Sequence, residues 1–179
     1  MKITAFAGSN SKASINKRLV TYVASLFKQP DTTILDLNDY QIPFYGTDLE
    51  LEKGVPQEVL EFSDLIKESD FLIISLAEHN GAYAAVFKNL FDWLSRVDGT
   101  KGFHNKPIFL MAASPGGRGG ASVLEIAQAR LPFNDGEVIE TYSLPNFTSN
   151  FNDVEGITDS ELKTILFNKI EDIKTQLKF

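Results

Sequence analysis

The 179 residues carry 17 Lys and Arg against 24 Asp and Glu, a net charge of −7, which opposes nucleic acid as a partner because non-specific affinity for polyanions comes from cationic side chains. With 43% hydrophobic residues the chain is long enough to enclose one full core, so a single domain over 1–179 is expected. The absence of cysteine and the presence of two histidines only, His79 and His104, exclude disulfides, thiolate chemistry and a dedicated metal cage, leaving any redox chemistry to a bound organic cofactor.

Met1-Lys2 leads directly into a hydrophobic strand, Ile3 to Gly8, and no window approaches a spanning length of apolar residues. The expectation is a cytoplasmic protein without a membrane partner. The strand runs into Gly8-Ser9-Asn10-Ser11-Lys12-Ala13-Ser14-Ile15-Asn16, and a helix follows in which Ile15, Leu19, Val23, Leu26 and Phe27 return to one face. A strand entering a helix through such a loop aims unpaired N–H groups and the positive end of the helix dipole at the loop's mouth. One serine there would be an ordinary helix cap. Three serines, two asparagines and a lysine exceed that need and suit a phosphomonoester.

Thr32 to Leu37 reads as a second strand, bounded by Pro30-Asp31 and Asn38-Asp39. The aromatic stretch Ile42-Pro43-Phe44-Tyr45-Gly46 has no regular period, and either lines a pocket mouth or forms a satellite cluster on the core. Pro56 opens a helix through Val59, Leu60, Phe62, Leu65 and Ile66 that stops near Ser69-Asp70. Phe71 to Leu76 and Pro107 to Ala113 are continuous apolar runs, the pattern of central parallel strands covered on both faces. A helix from about Gly120 to Arg130, a strand around Glu137 to Tyr142 and a last helix through Leu162, Leu166, Ile170 and Ile173 complete the chain. Thr158 and Glu161 have capping-box spacing at the start of that helix. Strand and helix alternate five times, giving an open parallel sheet with helices on both faces.

Ligands of such sheets lie beyond the carboxyl ends of the strands, where strand order reverses. That rule selects three loops: Gly8 to Asn16, Ala77 to Tyr83 and Ser114 to Gly120. In the second, Asn80-Gly81 either reads a planar heterocycle or makes a tight turn. In the third, four glycines in seven residues suit contact with a flat ligand or a hinge before a helix. Neither His79 nor Glu78 has a visible partner for acid or base work. The helix Val86 to Val97 places apolar residues around most of its circumference, with Lys88, Asp92, Ser95 and Arg96 as a polar stripe in which Asp92 and Arg96 are spaced to pair. Such a helix either lies deep in the core or meets a second copy.

These motifs resemble the NADPH-dependent FMN reductase family, flavodoxin-like enzymes that include quinone, chromate and azo-dye reductases. The family's G-S-x-R-x-x-S-x-N loop is met by Gly8, Ser9, Ser14 and Asn16, with Ser11 where arginine is usual. Its P-E-Y-N-G-S segment reads Ala77-Glu78-His79-Asn80-Gly81-Ala82, its K-N-x-x-D-W helix reads Lys88-Asn89-Leu90-Phe91-Asp92-Trp93, and its glycine-rich loop looks like Ser114 to Gly120. The resemblance implies a doubly wound five-stranded sheet of order 2-1-3-4-5. It also implies FMN held by Ser9, Ser11, Ser14, Ile15 and Asn16 at the phosphate, with Ala77, Glu78, His79, Asn80, Gly81, Ser114, Pro115, Gly116 and Gly117 around the isoalloxazine. NADPH or NADH would then supply electrons to a small-molecule acceptor, in a homodimer or dimer of dimers built on the helix Val86 to Val97. A flavin electron carrier and a flavin-binding sensor are the competing functions.

Overall fold

The computed structural model describes residues 1–29 and 31–178, so Pro30, the expected boundary of the second strand, lies outside the described residues. Strand β1 (Ile3–Gly8) leads to helix α1 (Ile15–Leu26) and strand β2 (Thr32–Leu35). Helices α2 (Thr47–Lys53) and α3 (Gln57–Glu68) precede strand β3 (Phe71–Leu76), the two-residue strands β4 (Glu78–His79) and β5 (Ala82–Tyr83), and helix α4 (Ala85–Leu94). Strand β6 (Lys106–Ala113), helix α5 (Ala121–Arg130) and strand β7 (Gly136–Leu144) follow. Helix α6 (Phe147–Asn150), the short strands β8 (Phe151–Asn152) and β9 (Gly156–Ile157), and helix α7 (Ser160–Leu177) close the chain. No helix among the described residues is long and apolar enough to cross a membrane.

The main sheet is parallel throughout, in the order β2-β1-β3-β6-β7, which is the expected 2-1-3-4-5 when its own strands are counted. Side-chain alternation divides its core into two layers. Phe6, Leu72, Ile74, Leu76 and Leu110 face Val59, Phe62 and Ile66 of α3, Leu90 and Trp93 of α4, and Val123 and Ala127 of α5. Ile3, Ala5, Ala7, Ile73, Phe109 and Met111 face Leu19, Val20 and Val23 of α1 and Leu166, Ile170 and Ile173 of α7. Each such large side chain contributes roughly 1.5–3 kcal/mol on burial. The uninterrupted apolar runs of β3 and β6 thus serve both layers at once.

The apolar girdle of α4 is consumed within the chain. Phe87, Leu90, Phe91, Trp93 and Leu94 are all buried. Trp93 Nε1 donates to Pro43 O at 2.9 Å, and its ring meets Tyr45 edge-on at 5.0 Å. Asn89 Oδ1 accepts from Tyr45 N at 2.8 Å, while Asn89 Nδ2 donates to Pro43 O at 3.0 Å. The asparagine and tryptophan of the K-N-x-x-D-W stretch are therefore a clasp on the stretch 42–45, whose Ile42 and Tyr45 pack as a satellite of the core while Phe44 is exposed. The expected Asp92–Arg96 pair does not form. Asp92 takes Lys88 Nζ at 2.6 Å, and Arg96 Nε reaches Glu50 Oε1 of α2 at 2.8 Å, a helix not anticipated from the sequence. The helix also ends before Val97: Arg96 N and Val97 N bond back only three residues, to Trp93 O and Leu94 O.

The start of α7 differs in detail from the expected capping box. Asp159 is the N-cap, its Oδ1 accepting from Leu162 N at 2.9 Å, whereas Thr158 Oγ1 donates to Ser149 O at 3.1 Å. Thr158 belongs to the preceding turn, and the carboxylate one residue later satisfies the helix donor.

Candidate functional site

Strands β1, β3 and β6 end side by side, with Gly8 in register with Leu76 and Leu76 with Ala112. Gly8 is required by packing: a Cβ there would lie 2.8 Å from Leu76 Cδ2 and 3.1 Å from the Phe87 ring. The loops that follow enclose a cavity of 240 Å³ lined by Ser9, Ser11, Ala13, Ser14, Ile15 and Asn16, by Ala77, Glu78 and His79, and by Ala113, Ser114 and Pro115. The structure thus gathers the three expected loops around one space. Ala13 and Ala113 were missed because an alanine side chain carries no chemical signal; they line the wall by adjacency alone.

In the first loop, Ser14 caps α1, its Oγ accepting from Lys17 N at 3.1 Å. Capping and anion binding are compatible, because the same hydroxyl still has its proton to donate. Ser9 Oγ accepts from Ser11 N at 3.2 Å and fixes the loop's curl. The amides of Ile15 and Asn16 open the first turn of α1 and donate to no acceptor among the described residues, and that turn holds no acidic side chain. Two amides without an acceptor among the described residues and three serines thus belong to residues that line one cavity at the positive end of the α1 dipole, the kind of setting that favours a bound anion.

The Asn16 side chain, expected to hold the phosphate, is tied to the sheet. Its Oδ1 accepts from Ser75 Oγ and from Ala113 N, both at 2.8 Å, and its Nδ2 donates to Ala113 O at 3.2 Å. The amide side chain staples α1 to β3 and β6, and the Asn16 backbone N–H has no acceptor among the described residues. The lysines stand aside as well. Lys17 pairs with Asp36, whose carboxyl is held below the usual carboxylate range by that hydrogen bond. Lys12 lines a larger cavity of 630 Å³ on the outer side of α1, with Arg18, Tyr22 and Phe151. Among the described residues no lysine lines the smaller cavity, where Ser11 stands in place of the arginine usual in the family's loop.

In the second loop, β4 and β5 form an antiparallel hairpin with Glu78 opposite Tyr83 and His79 opposite Ala82. Asn80 and Gly81, at φ 52 and 77, are its two-residue turn, as in a type I′ hairpin. They stand at the tip, outside the cavity lining, so the turn alternative accounts for that dipeptide. Ala77, Glu78 and His79 form the lip. Glu78 Oε2 accepts from Val123 N in α5 at 3.0 Å.

The four glycines of the third loop divide by physical role. Gly119 and Gly120 have φ 60 and 79, and added Cβ atoms would strike Ser143 Oγ at 2.1 Å and Ala112 Cβ at 2.6 Å. They turn the chain tightly into α5. Gly116 meets nothing within 4 Å and Gly117 only Asn146 Oδ1 at 3.9 Å, so both present bare backbone to open space. Neither lines the cavity itself; they extend its rim beyond Ser114 and Pro115. Arg118 bonds Ser122 Oγ at 2.9 Å on the exposed side. His104 lies at the opposite end of the sheet, before β6, with its Nε2 2.8 Å from Ser63 Oγ, and burial pushes its pKa down.

Residues 1–148 match the NADPH-dependent FMN reductase family. The chain is 28% identical to the NADPH:quinone oxidoreductase of Arabidopsis thaliana over 181 residues, covering 94% of this chain and 89% of that protein. It is 32% identical to the NADH:(hydroxy)cinnamate reductase subunit CrdA of Vibrio ruber over 132 residues, 73% of this chain and 60% of that subunit's length. Its fold matches the flavoenzyme NAD(P)H:(acceptor) oxidoreductase FerB of Paracoccus denitrificans with a TM-score of 0.76 at 22% identity, over 99% of this chain and 97% of that one. With its parallel sheet and this match over residues 1–148, the chain belongs to the NADPH-dependent FMN reductase family.

Proposed function

We propose that the chain, acting as one domain, binds FMN with its phosphate in the cup at the start of α1 and its ring along the lips Ala77 to His79 and Ser114 to Gly117, and that it passes electrons from NADPH or NADH to a quinone, flavin or azo acceptor. The observation that carries this reading is the pair of unpartnered amides at Ile15 and Asn16, set in one cavity with the hydroxyls of Ser9, Ser11 and Ser14. The donor set is neutral and rich in N–H and O–H groups, which fits a phosphomonoester better than a metal-bound triphosphate. A cavity of 240 Å³ accommodates the phosphate and the chain behind it. The bare backbone at Gly116 and Gly117 leaves room for a flat ring to approach the rim.

When bound, the flavin supplies the redox chemistry, taking hydride from reduced nicotinamide and giving electrons to the acceptor. The chain's share is binding and orientation: amides and hydroxyls fix the anionic end, and the two lips border the ring. No acid, base or nucleophile is needed from the side chains. Anaerobic NADPH added to FMN-loaded protein should bleach the yellow colour rapidly. Persistent yellow would support a carrier or sensor, and a colourless protein that takes up no FMN would refute the flavin reading. Ser14→Ala should loosen FMN by about 1–3 kcal/mol, the cost of one lost hydrogen bond to a charged group.

A cytoplasmic compartment, where reduced nicotinamide is abundant, and a homodimer across α4 belong to the same proposal. The dimer is supported by the family resemblance and no longer by the apolar girdle, which intrachain contacts account for.

A further inference from the structure

Helix α5 begins without a cap of its own. Its N-cap is Gly120, at φ 79, no side chain there accepts a hydrogen bond, and its first turn holds no acidic residue. The missing acceptor arrives from 45 residues away, where Glu78 Oε2 receives the Val123 N–H at 3.0 Å. Val123 is the third helical residue, the position that an N-cap side chain ordinarily satisfies. A carboxylate at this end of a helix gains further from the dipole. The bond also joins two elements that meet at the site. Glu78 is on the hairpin lip, and α5 springs directly from the glycine-rich loop that forms the opposite rim.

We infer that Glu78 is a positioning residue: its carboxylate caps α5 from the hairpin and thereby fixes the separation of the two lips between which the flavin ring lies, without itself serving as a ring ligand. This inference rests on the flavin reading above. The side-chain length follows from the geometry, since the acceptor must cross from the hairpin to the first turn of α5. Glutamine preserves both the reach and an oxygen acceptor. Aspartate shortens the reach by one methylene, and alanine removes the tether. A ring-bordering tether acts on the ring end of the ligand, whereas the cup acts on the phosphate.

The test is fluorescence titration of FMN and of riboflavin into wild-type, Glu78→Gln, Glu78→Asp and Glu78→Ala apoproteins, each first shown folded by its thermal transition. The expected result is that Ala and Asp weaken both flavins by about tenfold, the loss of one charge-assisted hydrogen bond, with the FMN-to-riboflavin affinity ratio unchanged. Gln should stay within about threefold of wild type, with a thermal midpoint above that of Ala. If Ala does not fold, Asp against Gln gives the same comparison. Wild-type affinity for both flavins in the folded Ala or Asp variant would reduce Glu78 to a helix cap and overturn the inference. Gln as weak as Ala would show that the charge, not the tether, matters, and would overturn it too. A wild-type protein that binds neither flavin would bring down the flavin reading itself.

Discussion

Asn16→Ala should destabilise the apoprotein by about 2–5 kcal/mol in chemical denaturation, because two buried groups, the Ala113 N–H and the Ser75 hydroxyl, lose their shared acceptor at once. The side chain is 3% exposed, so water cannot replace it without opening the seam between α1 and the sheet. The cost falls on the fold before it falls on any ligand: the staple holds the first turn of α1 against the ends of β3 and β6, where the cup is formed. A variant with unchanged stability and weakened FMN would instead make the Asn16 amide a direct phosphate ligand. Asn16→Asp retains an oxygen acceptor for both donors but loses the Nδ2 bond to Ala113 O, and it should recover only part of the loss.

Trp93→Ala should cost about 3–5 kcal/mol, the usual range for truncating a buried aromatic, and it should also release the stretch 42–45. Trp93 is fully buried, packs edge-on against Tyr45, and donates to Pro43 O. Trp93→Phe keeps much of the volume and loses the N–H, leaving Pro43 O to Asn89 Nδ2 alone, so it should cost about 1–2 kcal/mol. Denaturant midpoints of the two variants measure the difference. Equal effects would assign the whole contribution to the hydrogen bond, and no effect in either would contradict the clasp.

Periodicity exposed the sheet because β1, β3 and β6 are buried on both faces, and a short apolar run without alternation is what a strand between two helical layers requires. The three mouth loops were legible for the same reason: each breaks an apolar strand with small polar residues. What stayed hidden depends on contacts distant in sequence. The amide of Asn16 looks like a phosphate ligand until Ser75 and Ala113 are seen beside it. Glu78 looks like an idle loop carboxylate until Val123 is found 3.0 Å away. Arg96 has helical spacing to Asp92, yet tertiary placement gives it to Glu50 on α2, a helix too short and too polar to announce itself. The circumference of apolar residues on α4 suggested a second copy, but the satellite cluster around Tyr45 and the ring of Phe103 cover much of it within one chain.

In the proposed function, the start of α1 is a phosphate cup. Parallel titration of wild-type apoprotein with FMN and with riboflavin, at equal salt, isolates the contribution of the phosphate alone. With the Ile15 and Asn16 amides and the serine hydroxyls as donors, FMN should bind at least about a hundredfold more tightly than riboflavin, as two or more charge-assisted hydrogen bonds require. Equal affinity for the two flavins would contradict the cup.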